Sequence, residues 1–233
     1  MISVCIATYN GGKYIKEQLD SILPQLGGGD EVIVSDDSST DNTVEAIEAF
    51  GDRRIKIYAC QRFKSPVYNF ENALKMAKGD YIFLSDQDDV WEPGKVEVMM
   101  KHLQGSTLVV SDCRVVDAGM RVVRDSFCHG KARPKGVIAN LVSNNFLGCC
   151  MAFRKELLNK ALPFPRNLAM HDIWLGICAS AFYSVEFIPD KLIRYRRHGD
   201  NASCSGEKSH LKWSYRIAYR WHFLIELLKR KFS

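Results

Sequence analysis

This sequence predicts an α/β fold, a mostly parallel sheet with helices on both faces, and three observations carry the expectation. Short apolar runs alternate with segments of helical spacing through the first half of the chain. The runs are apolar at nearly every position, as strands buried on both faces must be. Aspartate-rich clusters follow several of them, and open parallel sheets bind ligands beyond the carboxyl ends of their strands.

Taken in order, "ISVCIAT" (2–8) reads as the first strand, and "KYIKEQLDSIL" (13–23) carries Tyr14, Ile15, Leu19, Ile22 and Leu23 at helical spacing. A "GGG" break precedes "EVIVS", a short buried strand. "SSTDNTVEAIEAF" offers Ser, Thr and Asp as N-caps for a second helix. "RIKIYAC" is a third strand, "PVYNFENALKMAKG" a helix from Pro66 to Gly79, and "DYIFLS" a fourth strand. A further helix, "EPGKVEVMMKHL", leads into "TLVVSDC". The second half is less regular. "RVVDAGMRVV" predicts a hairpin, "FLGCCMAF" a buried strand, "HDIWLGICASAFYS" an apolar helix, and "KLIRYRRHGDN" a strand entering a loop. No internal repeat or low-complexity linker interrupts the pattern.

At 233 residues and 46% apolar, the chain suits one large domain, or one domain with an appendage. No run approaches the ~18 uncharged apolar residues of a membrane span. The opening residues lack a basic n-region and a cleavage site, so no secretory signal is expected. Eight cysteines are scattered through apolar segments without a C-x-x-C pair. That usage predicts reduced, buried thiols and a cytosolic compartment, where the sequon at Asn201 has no consequence. The formal charge of +5 lies wholly in the tail: residues 208–233 hold seven Lys/Arg and one Glu, leaving 25 basic and 26 acidic residues before them. A near-neutral body argues against nucleic acid as a partner.

Chemistry concentrates in "YIFLSDQDDVW", where Asp86, Asp88 and Asp89 end an apolar strand. Carboxylates so close repel one another unless a cation sits among them. Adjacent carboxylates supply hard oxygens suited to Mg²⁺ or Mn²⁺, ions that keep waters and bind substrate phosphates. Thr8, Tyr9 and Asn10 after the first strand, and Asp36 and Asp37 after the second, fall on the same sheet edge. Asp and Asn also favour turns, which accounts for each cluster singly but not for three converging. A P-loop would need glycine at position 7 and Ser or Thr at 14, where Ala7 and Tyr14 stand. No G-x-G-x-x-G follows the first strand. "DQDDV" also fits the opening motif of haloacid dehalogenase-type phosphatases, but their further acidic motif comes later in the chain and "SDD" here comes earlier.

"ISVCIATYNGGKYIKEQLDSILPQ", "EVIVSDDSSTDNT", "AKGDYIFLSDQDDVW" and "HDIWLG" together resemble the inverting family 2 glycosyltransferases of GT-A fold. With "YRRHGDN", they are similar to bacterial rhamnosyltransferase-like members, over about residues 1–200. The resemblance implies a metal-dependent transfer from a UDP-sugar or dTDP-rhamnose to a hydroxyl of a glycan or lipid-linked acceptor, in bacterial surface polysaccharide synthesis. It implies that Tyr9 packs on the base with Thr8 and Asn10 nearby, and that Asp37 or Asp36 accepts the imide N–H of uracil or thymine. Asp86 would lie against ribose, Asp88 would ligate Mn²⁺ or Mg²⁺ with His198 reaching in from the far loop, and Asp172 would be the catalytic base. Read without the resemblance, Asp172 is a helix N-cap and His198 a solvent-facing strand end. Residues 1–112 would form the nucleotide-sugar half, 113–207 the acceptor half, and 208–233 a basic amphipathic helix.

The chain departs from that pattern in two places. Tyr68 stands where many relatives carry arginine, leaving Arg62 or Lys64 for the phosphates, and Ile217 replaces the Gln of the processive Q-x-x-R-W motif. A catalytically dead, carbohydrate-binding relative would lack one of the acids, yet all are present. In the tail, Trp213, Ile217, Trp221, Leu224 and Leu228 form one apolar stripe, with Lys208, Lys212, Arg216 and Arg220 in a band beside it. That pattern predicts either packing on the domain or a peripheral contact with anionic membrane, on its cytoplasmic face.

Overall fold

The computed structural model describes residues 1–128, 136–142, 144–199 and 213–231. The elements in chain order are β1 (Ile2–Thr8), α1 (Ile15–Ile22), β2 (Glu31–Asp36), α2 (Thr43–Glu48), β3 (Ile55–Tyr58), α3 (Pro66–Met76) and β4 (Tyr81–Asp86). Then come β5 (Val90–Trp91), α4 (Lys95–His102), β6 (Leu108–Val116), β7 (Val122–Arg124), α5 (Val137–Val142), β8 (Met151–Arg154) and α6 (Leu158–Ala161). The chain continues through α7 (His171–Phe182), β9 (Val185–Arg196) and α8 (Trp213–Lys231).

One sheet runs in the order β3-β2-β1-β4-β8-β6-β9-β5, with β7 paired to the end of β6. The block β3-β2-β1-β4 is parallel, in register at Val4 with Val32 on one side and Phe83 on the other. Val4, Cys5, Ile6, Ile33, Val34, Phe83 and Leu84 are fully buried, so both faces of this block are covered. From β1 the chain steps outward to β2 and β3, then crosses back to place β4 on the other side of β1. Right-handed crossovers therefore put α1 and α2 on one face and α3 on the other. Consistent with this, α1 touches α2, and α3 touches α7. The reversal opens a crevice at the carboxyl ends of β1 and β4.

Beyond β4 the sheet is mixed: β8 is antiparallel to β4 and β6, β9 parallel to β6, and β5 antiparallel to β9. This is a GT-A fold with a curled, mostly parallel sheet and a C-terminal helix. Residue 112 lies inside β6, and β8 sits between β4 and β6, so both halves of the chain share one sheet.

Several elements differ from the expected ones. "FLGCCMAF" is a strand only from Met151; Gly148–Cys150 is a single 3₁₀ turn, closed by the Cys150 N–H on the Leu147 carbonyl. Helix α2 starts after Asn42 without a side-chain cap, because Asp41 instead accepts the N–H groups of Gly12 (3.0 Å) and Thr43 (3.1 Å). Helix α3 stops at Met76, since Ala77 is extended and the chain must pass Ser3. There a Cβ on Gly79 would lie 2.7 Å from the Ser3 nitrogen. The two-residue β5 was not legible at all.

Helix α8 packs on α7 through Phe223 and Leu227, with the Phe223 ring 6.0 Å from Trp174. The expected stripe is thus displaced: Leu224 is half-buried, whereas Trp221 and Leu228 face outward. Arg220 is not a free member of a basic band, because it donates to the carbonyls of Leu141 and Val142 at the end of α5. Lys208 and Lys212, with the side chains of Trp213, Arg216 and Ile217, lie outside the described residues. Among the described residues no helix is long and apolar enough to cross a membrane.

Candidate functional site

A cavity of about 910 Å³ opens at the crevice between β1 and β4 and extends to the first turn of α7. Thr8, Tyr9, Asp37, Asp86, Asp88 and Asp172 all line it. Asn10, Asp36 and His198 do not.

The first wall is built by the loop after β1. Thr8 is buried and donates its hydroxyl to Asp36 (2.8 Å), whose other oxygen accepts the Ser39 N–H (2.9 Å). Asp36 is therefore buried and engaged behind the wall, so of the paired acids only Asp37 reaches the cavity. Asp37 itself accepts the N–H groups of Phe63 (2.6 Å) and Ser65 (3.1 Å). It holds the loop after β3, which brings Arg62 and Lys64 to the cavity. Tyr68 is turned away and accepts the Asn167 N–H at 3.0 Å. Asn10 takes the left-handed conformation (φ 49°) and clasps the loop after β2 through Ser39 Oγ and the Thr40 N–H, both at 2.8 Å. Its place is structural support, with Tyr9 left exposed as the aromatic surface of this wall.

Gln87, unremarked in the sequence, joins the two loops. Its side-chain amide accepts the Tyr9 N–H (2.9 Å) and donates to the Tyr9 carbonyl (3.0 Å). Gly11 makes room for it, since a Cβ there would lie 2.3 Å from Gln87 Oε1. An amide between aspartates, opposite a glycine in the first loop, was the available signal.

The acidic loop divides its charges. Asp88 Oδ2 is 2.8 Å from His198 Nε2. Asp89 points inward, and its Oδ1 accepts the Arg196 N–H at 2.9 Å. Lys95, also missed by sequence reasoning, is fully buried; its Nζ donates to the Cys149 carbonyl (2.8 Å) and sits 4.1 Å from the Trp91 ring centroid. Burial lowers Lys95 to about 8. Burial, then the charges of Asp88 and Asp172, push Asp86 up to about 8. Asp89 is likewise raised, first by burial and then by Asp88 and Asp86.

Such crowding suits a divalent cation. Asp86, Asp89 and Cys149 bring ligand atoms within 4.8 Å of one another. Burial keeps the Cys149 thiol protonated, however, which makes it a poor ligand, while Asp89 has one oxygen on Arg196 and its other, buried oxygen without a hydrogen-bond partner among the described residues. The carboxylates of Asp86 and Asp88 reach the cavity, with the His198 imidazole on Asp88. They are donors of the type Mn²⁺ or Mg²⁺ takes, although among the described residues only Asp86, Asp89 and Cys149 gather within 4.8 Å of one another.

On the opposite wall, Asp172 lies in the first turn of α7, one residue past its start, and is not the N-cap. It accepts the N–H groups of Ile173 (2.7 Å) and Gly148 (3.2 Å). Burial raises it to about 6, a rise that these N–H groups partly oppose. Neighbouring His171 stacks on Phe70 at 4.1 Å, and burial lowers it to about 3. His171 is thus a neutral ring and a poor proton acceptor, which leaves Asp172 as the titratable group of this wall.

Residues 3–162 match the family model described as "Glycosyl transferase family 2". The chain is 37% identical to the dTDP-rhamnosyl transferase RfbG of Shigella flexneri, covering 84% of this chain and 72% of that protein. It is 28% identical to the Escherichia coli UDP-Glc:alpha-D-GlcNAc-diphosphoundecaprenol beta-1,3-glucosyltransferase WfgD, over 76% and 69% of the two chains. It spans 66–69% of the length of several such relatives. Among solved structures, S. aureus TarS 1-349 in complex with UDP-GlcNAc is similar at a TM-score of 0.67 and 20% identity, over all of this chain and 72% of that one. Glucosyl-3-phosphoglycerate synthase from Mycobacterium tuberculosis, in complex with Mn²⁺, UDP and phosphoglyceric acid, gives 0.60 and 24%, over 99% and 78%. These likenesses set aside the phosphatase alternative.

Proposed function

This chain belongs to glycosyl transferase family 2, and we propose that it transfers a sugar, with inversion, from a nucleotide-diphosphate sugar to a hydroxyl of a glycan or lipid-linked acceptor. The observation that carries this reading is that Asp172, raised to about 6, faces the same cavity as Tyr9, Asp37, Asp86 and Asp88. A carboxylate that titrates near neutral pH is suited to take a proton from an attacking hydroxyl, typically contributing ~10²–10⁴-fold. Tyr9 and Asp37 receive the base, Asp86 the ribose, and Arg62 and Lys64 the phosphates, in place of the arginine that Tyr68 replaces. Asp86 and Asp88, with His198, would hold Mn²⁺ or Mg²⁺, which when bound neutralises charge on the departing diphosphate. The acceptor hydroxyl then approaches the anomeric carbon from the Asp172 side, opposite the diphosphate, and one displacement inverts the centre. Residues 1–112 serve the donor and 113–207 the acceptor.

A dTDP-rhamnose or UDP-sugar donor is supported by the names of the relatives, and a lipid-linked acceptor by that of the E. coli relative. Such an acceptor would place the protein on the cytoplasmic face of a membrane. The exposed apolar residues Trp221 and Leu228 of α8, beside Ile138 and Val142 of α5, supply a surface for that contact. Exposed Lys231, and Lys229 on leaving Glu226, would meet anionic headgroups, at about 1 kcal/mol for each base.

The experiment is a thermal-shift panel of nucleotide sugars with and without Mn²⁺, followed by NMR of the anomeric configuration of the product. A stabilising donor and an inverted product are expected. Retention of configuration, or stabilisation by simple phosphomonoesters alone, would overturn the reading.

A further inference from the structure

Arg196, at the end of β9, is only 3% exposed, and its bonds go to separate parts of the fold. Nε donates to the Asp88 carbonyl (2.8 Å), Nη1 to the Ala118 carbonyl in the β6–β7 turn (3.2 Å), and Nη2 to Glu17 of α1. Its guanidinium carbon lies 4.6 Å from the ring centroid of Tyr14, the residue just before α1. The ring also meets the Lys13 ammonium, 4.9 Å from its centroid, and the His198 imidazole, 4.9 Å between centroids, and His198 reaches Asp88 at 2.8 Å. The contacts close on themselves, from Arg196 to Asp88, His198, Tyr14 and back to Arg196.

We propose that Tyr14 and Arg196 are positioning residues that hold Asp88 and His198 in ligand register before a divalent ion arrives; the proposal rests on the reading of those two residues as ion ligands. The physical case is one of freedom removed. Arg196 fixes the chain just after the Asp88 side chain, by its Nε on the Asp88 carbonyl and its backbone N–H on the Asp89 carboxylate. Tyr14 bounds one side of the imidazole, its ring tilted 35° to it. The guanidinium binds the carbonyl of Asp88, while the Asp88 carboxylate meets His198. Glu17 balances its charge, so the positive field at the ion's place is reduced. A guanidinium over an aromatic face also gains from being shielded from water.

The test titrates Mn²⁺ into the full chain by electron paramagnetic resonance, in the presence of UDP or dTDP. Wild type is compared with Tyr14→Leu, Tyr14→Phe, Arg196→Lys and Asp88→Asn. Changing groups that orient metal ligands typically lowers affinity by ~10–100-fold, and Tyr14→Leu is expected in that range. Tyr14→Phe, which keeps the ring, should stay within about twofold of wild type on the same scale. Arg196→Lys keeps the charge but not the planar fork, and should weaken Mn²⁺ as Tyr14→Leu does. Donor KM for Tyr14→Leu should rise at limiting Mn²⁺ while kcat recovers at saturation. If Tyr14→Leu is folded and binds Mn²⁺ like wild type, or if Tyr14→Phe is as weak as Tyr14→Leu, the positioning role is wrong. Should Tyr14→Leu fail to fold, wild-type affinity in Arg196→Lys overturns it equally. If wild type and Asp88→Asn bind Mn²⁺ alike, the ion reading itself fails and takes this one with it.

Discussion

Replacing Asp172 by Asn should cost activity and shift stability toward the variant as pH rises, a signature of the buried carboxyl that the loss of transfer ties to catalysis. Asp172 is 6% exposed, and burial moves its carboxyl from 3.8 to about 6 in the folded chain. Between those values the folded state binds more protons than the unfolded state at this group, so the contribution of Asp172 to stability falls as pH rises through the window and is level above it. At about 1.4 kcal/mol per pH unit, the gap of roughly two units is worth up to ~3 kcal/mol. Asn cannot ionise and escapes this cost. It can accept only one of the two N–H groups, from Ile173 and Gly148, that the carboxylate accepts. That loss sets a baseline cost of about 1–3 kcal/mol at every pH. Relief of Asp86, which the Asp172 charge raises, has the same sign as the main effect. Urea unfolding of both proteins without metal, at intervals from pH 4 to 8, measures the difference. It should move in favour of Asp172→Asn by up to ~3 kcal/mol between pH 4 and 7, with a smaller further gain toward pH 8 as Asp86 titrates. Transfer should fall by roughly two to four orders of magnitude with donor affinity kept, and wild-type kcat/KM should drop as pH falls below about 6. A pH-independent stability difference, or transfer near the wild-type rate, would refute the assignment.

Asp88→Asn should abolish the Mn²⁺-dependent part of donor-induced thermal stabilisation; an unchanged metal response would remove Asp88 from the ion site. Trp221→Ser with Leu228→Ser should weaken flotation on anionic vesicles at low salt while transfer to a soluble acceptor persists, and a wild-type chain indifferent to such vesicles ends the membrane reading. Gly176→Ala would set a Cβ 2.3 Å from the ring of Phe146, which is buried and packed on Phe187. Overpacking of this kind costs about 1–3 kcal/mol, readable by urea unfolding, and an unchanged midpoint would mean that the ring can move.

The parallel half of the fold was legible because strands buried on both faces leave unbroken apolar runs, as "ISVCIAT" and "EVIVS" do. Strand β9 was legible only at its end: Glu186, Asp190, Lys191 and Arg194 break its apolar pattern, since its neighbours leave part of it open to water. In "FLGCC" the apolar run persists through a turn, because the turn is buried and its Gly148 N–H bonds to Asp172. In the tail, Trp221 and Leu228 look like core, but Phe223 and Leu227 take that place. A helix with apolar residues on two faces does not announce which one docks. At the site, sequence pointed to most of the acids but could not separate Asp36 from Asp37, because only the third dimension puts one behind the other. Lys95 and Arg196 were invisible for a different reason. Lysine and arginine are almost never fully buried unless paired, so in "EPGKVEV" and "YRRHGDN" they pass for surface charges.

Those two buried cations bear on why four carboxylates can share one small site. Asp89 meets Arg196 through its backbone N–H, and Lys95 adds a fixed positive charge nearby, felt by both Asp89 and Asp86. Burying a lysine is itself expensive, and its own fall to about 8 records that cost. One interior charge can therefore offset only part of the acidic excess. The remainder shows in Asp86 and Asp89, both still raised, and in Asp172, whose charge also acts on Asp86. Arg196, the other buried cation, is balanced by Glu17; a third interior cation would relieve these acids permanently, and an incoming ion would then gain little. With partial internal compensation, Asp86 and Asp88 stay under-neutralised at the cavity wall, and what relieves them must come from solution. An ion held there would lower the energy of the whole cluster at once, offsetting the neighbouring charges that add to burial in raising Asp86.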